Sequence, residues 1–194
     1  MKIDNKKRDK LIKNFLERNE KINVSWIRDY KWVKSKHIKD SLELNKILNI
    51  KTNSQVADLW SWGGFPLLAL AISNPQAKFT WLESKRKKTK VINSLIEKCN
   101  ITNAKSIWTR WENHNQKYEI LTARAVAYID ELLKYSYQLV KKWGKFVFYK
   151  SDSKQEHQDL IKQTKKYNLK VSKIHKYKLF ENDITRVIYI LDKT

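Results

Sequence analysis

Residues able to build a ligand site begin in the stretch Val56-Ala-Asp-Leu-Trp-Ser-Trp-Gly-Gly-Phe-Pro-Leu-Leu-Ala-Leu-Ala-Ile72. A short apolar strand ends near Asp58, a tight turn holds Gly63 and Gly64, and an apolar helix follows with Pro66 suited to its first turn. Backbone N–H groups are unpaired at a helix N-terminus, and glycines let a ligand approach the main chain, so this pattern suits a nucleotide or cofactor site. Twenty residues after Gly63, Phe79-Thr-Trp-Leu-Glu83 reads as a second strand ending in an acid. A carboxylate there is able to accept hydrogen bonds from both hydroxyls of a ribose. A glycine turn between strand and helix is also an ordinary tight connection, so the pattern needs support from elsewhere in the chain.

Other chemistries find less support. No Cys/His spacing suits a metal, and four scattered histidines give no Ser/His/Asp arrangement. The lysine that closes a P-loop is missing after the glycines. A dehydrogenase would share the strand-turn-helix start, but 194 residues are few for a separate substrate domain. The single cysteine, Cys99, permits no internal disulfide and sits on an apolar helical stripe, as a core residue does. The longest apolar run, Phe65 to Ile72, is far short of the roughly 18 residues of a membrane span. The start, Met1-Lys-Ile-Asp-Asn-Lys-Lys-Arg8, lacks the apolar stretch of a signal peptide. A cytoplasmic protein with no membrane partner is expected. The net charge of +21 implies a polyanionic partner, with RNA favoured over lipid because no amphipathic membrane segment is evident. Of the 41 basic residues 34 are lysine, which AT-rich coding also produces.

These residues must be carried by an alternation of helices and strands. Leu11, Ile12, Phe15 and Leu16 form a helical stripe within Lys6 to Arg18, Asn23 to Trp32 reads as a loop, and a second helix runs from about Ser35 to Leu48. In that helix His37 and Asp40 lie on neighbouring turns, able to meet each other or to face a ligand. After Glu83 a helix capped by Ser84 turns Val91, Ile92, Leu95, Ile96 and Cys99 inward, and its first turns carry the basic run Lys85-Arg-Lys-Lys-Thr-Lys90. Lys85 and Arg86 are candidate phosphate contacts. Ala104 to Thr109 is a third strand, Tyr118 to Ala123 a fourth that delivers Arg124, Ile129 to Lys141 a helix, and Gly144 to Lys150 a fifth strand. A polar helix over Gln155 to Tyr167 precedes an antiparallel pair, Lys170 to Lys176 and Ile184 to Asp192. The pattern predicts an α/β sandwich with a mostly parallel seven-stranded sheet. Ligands of such sheets bind at the carboxyl ends of the strands, where Asp58, the glycine turn, Glu83, Arg110, Arg124 and Lys150 all fall.

Three further stretches extend the pattern: Asn23-Val-Ser with Arg28-Asp29, His37-Ile-Lys-Asp-Ser-Leu42, and Thr122-Ala-Arg-Ala-Val-Ala127. Together with Gly63-Gly-Phe-Pro66 they occur in the order seen in the bacterial small-subunit rRNA guanine-N(7) methyltransferases, the RsmG or glucose-inhibited division protein B family, which the chain resembles from about Phe15 to Thr194. The resemblance implies a Rossmann-like class I S-adenosyl-L-methionine-dependent methyltransferase fold. It further implies one domain over 1–194, with 1–50 a helical extension packed on a core over 51–194, acting as a monomer on 16S rRNA or the small ribosomal subunit. Asp58, Trp60, Trp62, Gly63, Gly64, Phe65, Glu83, Arg110, Trp111, Glu112 and Arg124 then fall at the cofactor, with Arg110 and Glu112 matching an Arg-x-Glu beside its adenine end. Arg124 and Lys150 are the catalytic candidates, and Arg28, His37, Lys85, Arg86, Lys150 and Arg186 the RNA contacts. The guanine 7-nitrogen carries a free lone pair, so its methylation needs no base to remove a proton, in keeping with the absence of an obvious acid or base.

The chain departs from the family inside the glycine turn, where Trp60 and Trp62 stand at the first two glycine positions. Eight tryptophans against three glycines reverses the usual order, and Trp143, before Gly144, also stands where a glycine turn would feed a strand. A genome that reads UGA as glycine, decoded with UGA as tryptophan, writes such a chain. The alternative is a catalytically inactive RNA-binding relative whose cofactor loop Trp60 and Trp62 block.

Overall fold

The computed structural model describes residues 3–23, 25–59, 62–124, 127–179 and 184–194. Trp60, and Ala125 and Val126 of the Ala123-Arg-Ala-Val-Ala127 stretch, lie outside the described residues. Strands β1 (Gln55–Leu59), β2 (Lys78–Glu83), β3 (Ala104–Trp108), β4 (Tyr118–Arg124), β5 (Val140–Ser151), β6 (Leu169–Leu179) and β7 (Ile184–Lys193) form one sheet in the order β3-β2-β1-β4-β5-β7-β6. Pairing is parallel from β3 through β5, and β7 runs antiparallel to both β5 and β6. The strand order reverses between β1 and β4, and that reversal opens a crevice at the carboxyl edge.

Alternation along the strands supplies two apolar layers. In β5, Val147 and Tyr149 face one layer while Phe146 and Phe148 face the other. The first layer is closed by α1 (Asn5–Ile22), α4 (Leu67–Ser73) and α5 (Arg86–Lys98), the second by α6 (Ile129–Ser136) and α7 (Lys154–Lys166). Helix α1 is capped by Asp4, whose Oδ1 accepts from Lys7 N at 2.8 Å, and buries Leu11, Ile12 and Phe15. No described helix is long and apolar enough to cross a membrane.

Three local expectations are corrected. The second helix starts earlier than Ser35: α2 (Tyr30–Trp32) leads into a π-helical turn, Val33–Lys39, then α3 (Asp40–Leu42) and a 3-10 turn, Glu43–Lys46. The early start is set by Asp29, whose carboxylate accepts from Trp32 N at 3.0 Å. Ser84 does not cap α5, because the Lys85 N–H goes to the Glu83 carboxylate at 2.8 Å instead. Helix α6 stops at Ser136, and β5 begins at Val140.

The register of β4 and β5 jumps from Tyr118↔Val140 to Ile120↔Lys145, and the intervening loop of β5 holds Trp143 at φ +66°. That torsion costs an L-residue about 1–2 kcal/mol and costs glycine nothing. The Trp143 ring is 73% exposed, so little packing offsets the strain, whereas Trp81 is fully buried and Trp111 stacks on Tyr135 at 5.4 Å. Trp143 sits where glycine belongs; Trp81 and Trp111 are built into the fold. Trp143→Gly is therefore expected to raise the thermal midpoint by about 2–4 °C, the shift for roughly 1 kcal/mol at this size. Thermal unfolding followed by circular dichroism checks this, and an unchanged or lowered midpoint contradicts it.

Candidate active site

The carboxyl ends of β1 and β2 carry the first half of the site. Asp58 is fully buried, and its Oδ1 accepts from the Thr122 hydroxyl of neighbouring β4 at 2.5 Å. Beyond it the chain turns through Trp62–Gly64, with Gly63 at φ +67° and Gly64 at φ +86°. Both glycines are also required by packing. A Cβ on Gly63 would meet Phe15 Cε2 at 2.5 Å, and one on Gly64 would meet Ile92 Cδ1 at 2.7 Å and Leu68 Cδ1 at 2.8 Å. Phe65 was expected at the cofactor, but its ring is fully buried, edge-on to Phe15 at 5.3 Å and stacked on His37 at 4.8 Å. Its contribution to the turn is an anchor in the core.

Glu83 is 2% exposed. Its Oε1 accepts from Lys85 N at 2.8 Å, Lys88 Nζ lies 3.9 Å from Oε2, and Oε2 itself has no hydrogen-bond partner. A buried carboxylate oxygen without a hydrogen bond costs free energy unless a ligand supplies donors. Its chain neighbours Leu82 and Ser84 line a cleft of about 440 Å³ together with Lys85, Arg110, Trp111, Glu112, Glu131 and Tyr135. The Trp111 and Tyr135 rings stack nearly parallel, 2° apart, and give the cleft a flat apolar wall. The buried acid, glycine turn and aromatic-walled cleft fit a nucleoside-bearing cofactor such as S-adenosyl-L-methionine.

The second half of the site gathers at the end of β4. Arg124 is buried, and its Nη1 donates to Lys36 O and to Asp40 Oδ2, both at 3.1 Å. Its Nη2 lies 2.9 Å from His37 Nδ1. Arginine only donates, so His37 Nδ1 is the acceptor and the ring proton sits on Nε2, directed at Ser25 Oγ 3.1 Å away. The π-helical turn presents the Lys36 carbonyl and His37, and the start of α3 presents Asp40, to one guanidinium. Asp40 Oδ1 accepts in addition from the Tyr177 hydroxyl at 2.5 Å and lies 3.9 Å from Arg186 Nε. Tyr149, fully buried, donates to Ser41 O at 2.8 Å and so ties β5 to the same helical run. Burial and the Asp40 carboxylate push the Tyr177 phenol up, and burial does the same to Tyr149. Both stay protonated as donors.

Sequence reasoning brought His37 and Asp40 to neighbouring turns but gave no role to Tyr149 or to Tyr177, which lies just past the strand expected over Lys170 to Lys176, and named Ser25 only within the Asn23-Val-Ser stretch. His37 was expected at RNA and is buried instead, with both ring nitrogens engaged. Lys150, expected at the reacting base or an RNA phosphate, is also turned inward: it is 4% exposed and donates to Ala127 O and, at 3.1 Å, to Glu156 Oε1. Desolvation lowers its ammonium despite Glu156. Lys150 thus pins the chain after β4 to the start of α7 and does not face solvent. Arg186 is mostly covered beside Asp40. Arg28, Lys85 and Arg86 are exposed, with Arg86 lying over the Trp108 ring at 5.4 Å. Arg110 and Glu112 are exposed at the cleft rim.

Burial and the adjacent Arg124 hold the His37 imidazole well below its ordinary value of 6.5. The unfolded chain takes up a proton below about pH 6.5 that the folded chain resists, so this contribution to stability is full above that pH and falls as pH drops beneath it. Urea unfolding at about pH 7.5 and about pH 5 is expected to show a larger loss for the wild type than for His37→Asn, whose amide oxygen keeps an acceptor for Arg124. Equal losses would contradict the neutral, buried histidine.

The chain is similar to known proteins in sequence and in fold. The family described as rRNA small subunit methyltransferase G (GidB) matches residues 4–186. A protein named ribosomal RNA small subunit methyltransferase G from Listeria monocytogenes is 32% identical over 186 residues, covering 92% of this chain and 78% of that protein. One of the same name from Mycoplasma capricolum is 34% identical over 163 residues, covering 82% of this chain and 70% of the relative. Among solved structures, a SAM-dependent methyltransferase from Aquifex aeolicus superposes with a TM-score of 0.64 at 10% identity, covering 91% of this chain and 97% of that one. A putative methyltransferase from Bacillus halodurans gives 0.64 at 13% identity, covering 80% and 99%. At these identities the structures speak to the fold alone.

Proposed function

The chain belongs to the rRNA small subunit methyltransferase G family, and we propose that it transfers a methyl group from S-adenosyl-L-methionine to the 7-nitrogen of a guanine in the decoding region of 16S rRNA. The observation that carries the cofactor side is Glu83, a buried carboxylate with one oxygen lacking a hydrogen bond, set in the chain between Leu82 and Ser84 of an aromatic-walled cleft. The reading includes a single domain over 1–194 with 1–50 as its helical extension, a monomeric enzyme, and work in the cytoplasm on the rRNA or the small subunit.

Glu83 accepts the ribose hydroxyls, and Trp111, Arg110 and Glu112 line the adenine end. Bound S-adenosyl-L-methionine supplies an electrophilic methyl on a positively charged sulfur. The guanine nitrogen already holds the lone pair that attacks, so the protein has only to align the base and exclude water. No proton acceptor is required, and two of the candidates at the carboxyl edge are committed elsewhere: His37 through both nitrogens, Lys150 to Ala127 and Glu156. Arg124 acts as a positioning residue that fixes the π-helical turn against β4.

The test is transfer of labelled methyl groups into small-subunit rRNA, with large-subunit rRNA as control, by the chain as written and by Trp60→Gly/Trp62→Gly. Labelling of the small-subunit RNA by the glycine form supports the enzyme, and labelling by both shows that the loop tolerates its tryptophans. If neither form labels it, the methyltransferase reading fails in favour of an inactive RNA-binding relative.

A further inference from the structure

We infer that the cleft walled by Lys31, Lys34, Lys39, Lys46 and Lys178 holds the phosphate backbone of the substrate RNA, an assignment that rests on the RNA reading above. The cleft encloses about 710 Å³ between the helical run over 30–46 and the end of β6, with Ser35, Leu42, Glu43 and Leu179 completing its walls. None of these lysines was named as a candidate site residue from the sequence, although Lys39 falls within the His37-Ile-Lys-Asp-Ser-Leu42 stretch.

The helical lysines fall on one stripe, because Lys31, Ser35, Lys39, Leu42 and Lys46 follow one another at steps of three or four residues. That stripe spans the whole helical run over 31–46, which gives it several basic groups in series along one wall. Among the described residues, only Lys46 of the five has an ion-pair partner, Glu43 at 2.6 Å, and Glu43 also receives His175 at 3.3 Å. Lys31, Lys34, Lys39 and Lys178 have no carboxylate within 4.0 Å among those residues. Like charges gathered on one concave wall repel each other, and a polyanion relieves that cost. With Leu42 and Leu179 as its only apolar walls, the cleft suits phosphates better than lipid chains.

Its place in the fold connects it to the site. The inner side of the same helical run is held by Arg124 through Lys36 O, His37 and Asp40, while the lysine stripe lines the cleft. Lys178 follows Tyr177, whose hydroxyl reaches Asp40. The pairings Leu179↔Ile184 and Ser151↔Arg186 put this end of β6 on the carboxyl edge that also carries Arg124 and Lys150. The cofactor cleft occupies the other half of that edge, at β2 and β3. A strand seated on the lysines lies on the β4–β5 side, where the target base must enter.

The experiment compares two variants of equal charge change, K31A/K34A/K39A/K178A in the cleft and K162A/K165A/K170A/K173A on exposed positions of α7 and β6. Retention of transcribed 16S rRNA is measured across a salt series, together with methyl transfer and calorimetric binding of S-adenosyl-L-methionine. The cleft variant is expected to bind RNA at least about tenfold more weakly, with a salt slope shallower by about 0.7 for each phosphate no longer neutralised. Its turnover at saturating RNA and its cofactor affinity should hold, and the control should change much less. Equal weakening of both variants, or unchanged RNA binding by the cleft variant, overturns the assignment. Should the quadruple variant fail to fold, Lys34→Ala and Lys39→Ala singly must each lower the slope. If the wild type retains RNA but transfers no methyl group, the methyltransferase reading fails while the retention series still decides the cleft.

Discussion

Arg124→Ala is expected to destabilise the protein by about 3–5 kcal/mol, the cost of breaking a buried ion pair from one side. The substitution removes the guanidinium that serves Asp40, Lys36 O and His37 together, and it strands the Asp40 carboxylate at 3% side-chain exposure. Tyr177 remains as a donor to Asp40, and Arg186 stands 3.9 Å away, which limits the loss to that range. Against a total stability of about 5–15 kcal/mol, this is a large share. Urea unfolding reads it as a lowered midpoint with an unchanged slope. Arg124→Lys keeps a positive charge but not the planar fork, so it should recover part of the stability and little of the order in the π-helical turn. Methyl transfer should fall at least about tenfold in the alanine variant while cofactor affinity changes little, because Glu83 and the aromatic cleft lie on the other half of the edge. An alanine variant that unfolds at the wild-type urea concentration would show that the network carries no such role.

Glu83→Ala should weaken S-adenosyl-L-methionine binding about a hundredfold or more. Hydrogen bonds to a charged acceptor are worth about 1.5–3 kcal/mol each, and a ribose presents two hydroxyls. Alanine also removes the acceptor of Lys85 N–H at the start of α5, so part of its effect could arise from the helix. Glu83→Gln separates the two contributions. The amide oxygen is able to keep the Lys85 bond, while the NH₂ replaces the charged oxygen that has no hydrogen-bond partner. Glutamine should therefore leave urea unfolding nearly unchanged and still weaken the cofactor by about tenfold or more. Calorimetric titration gives both constants, and an unaltered dissociation constant in the glutamine variant would remove Glu83 from the ribose.

The sheet was legible in the sequence because strand runs and helical stripes alternate, and the acid ending β2 was legible by position alone. What was not legible depends on side-chain direction at the ends of strands. Lys150 closes an apolar strand, and nothing local distinguishes a lysine facing solvent from one folded back onto Ala127 and Glu156. Arg124 was found as a residue, but its partners lie 84 to 88 positions earlier, on a π-helical turn that a period of 3.6 does not describe. The lysine stripe keeps helical spacing, but among 34 lysines nothing local set it apart from an ordinary solvated face. Trp143 was legible for a different reason: a tryptophan before Gly144 at the mouth of a strand conflicts with turn chemistry, and its φ of +66° is the structural form of that conflict.

The most direct test of the central claim is nucleoside mass spectrometry of 16S rRNA, transcribed without modifications and incubated with S-adenosyl-L-methionine and the protein carrying Trp60→Gly and Trp62→Gly. The expected product is 7-methylguanosine as the one new nucleoside, in a fragment from the decoding region. A methyl group on another atom or another base, or none at all, would contradict it.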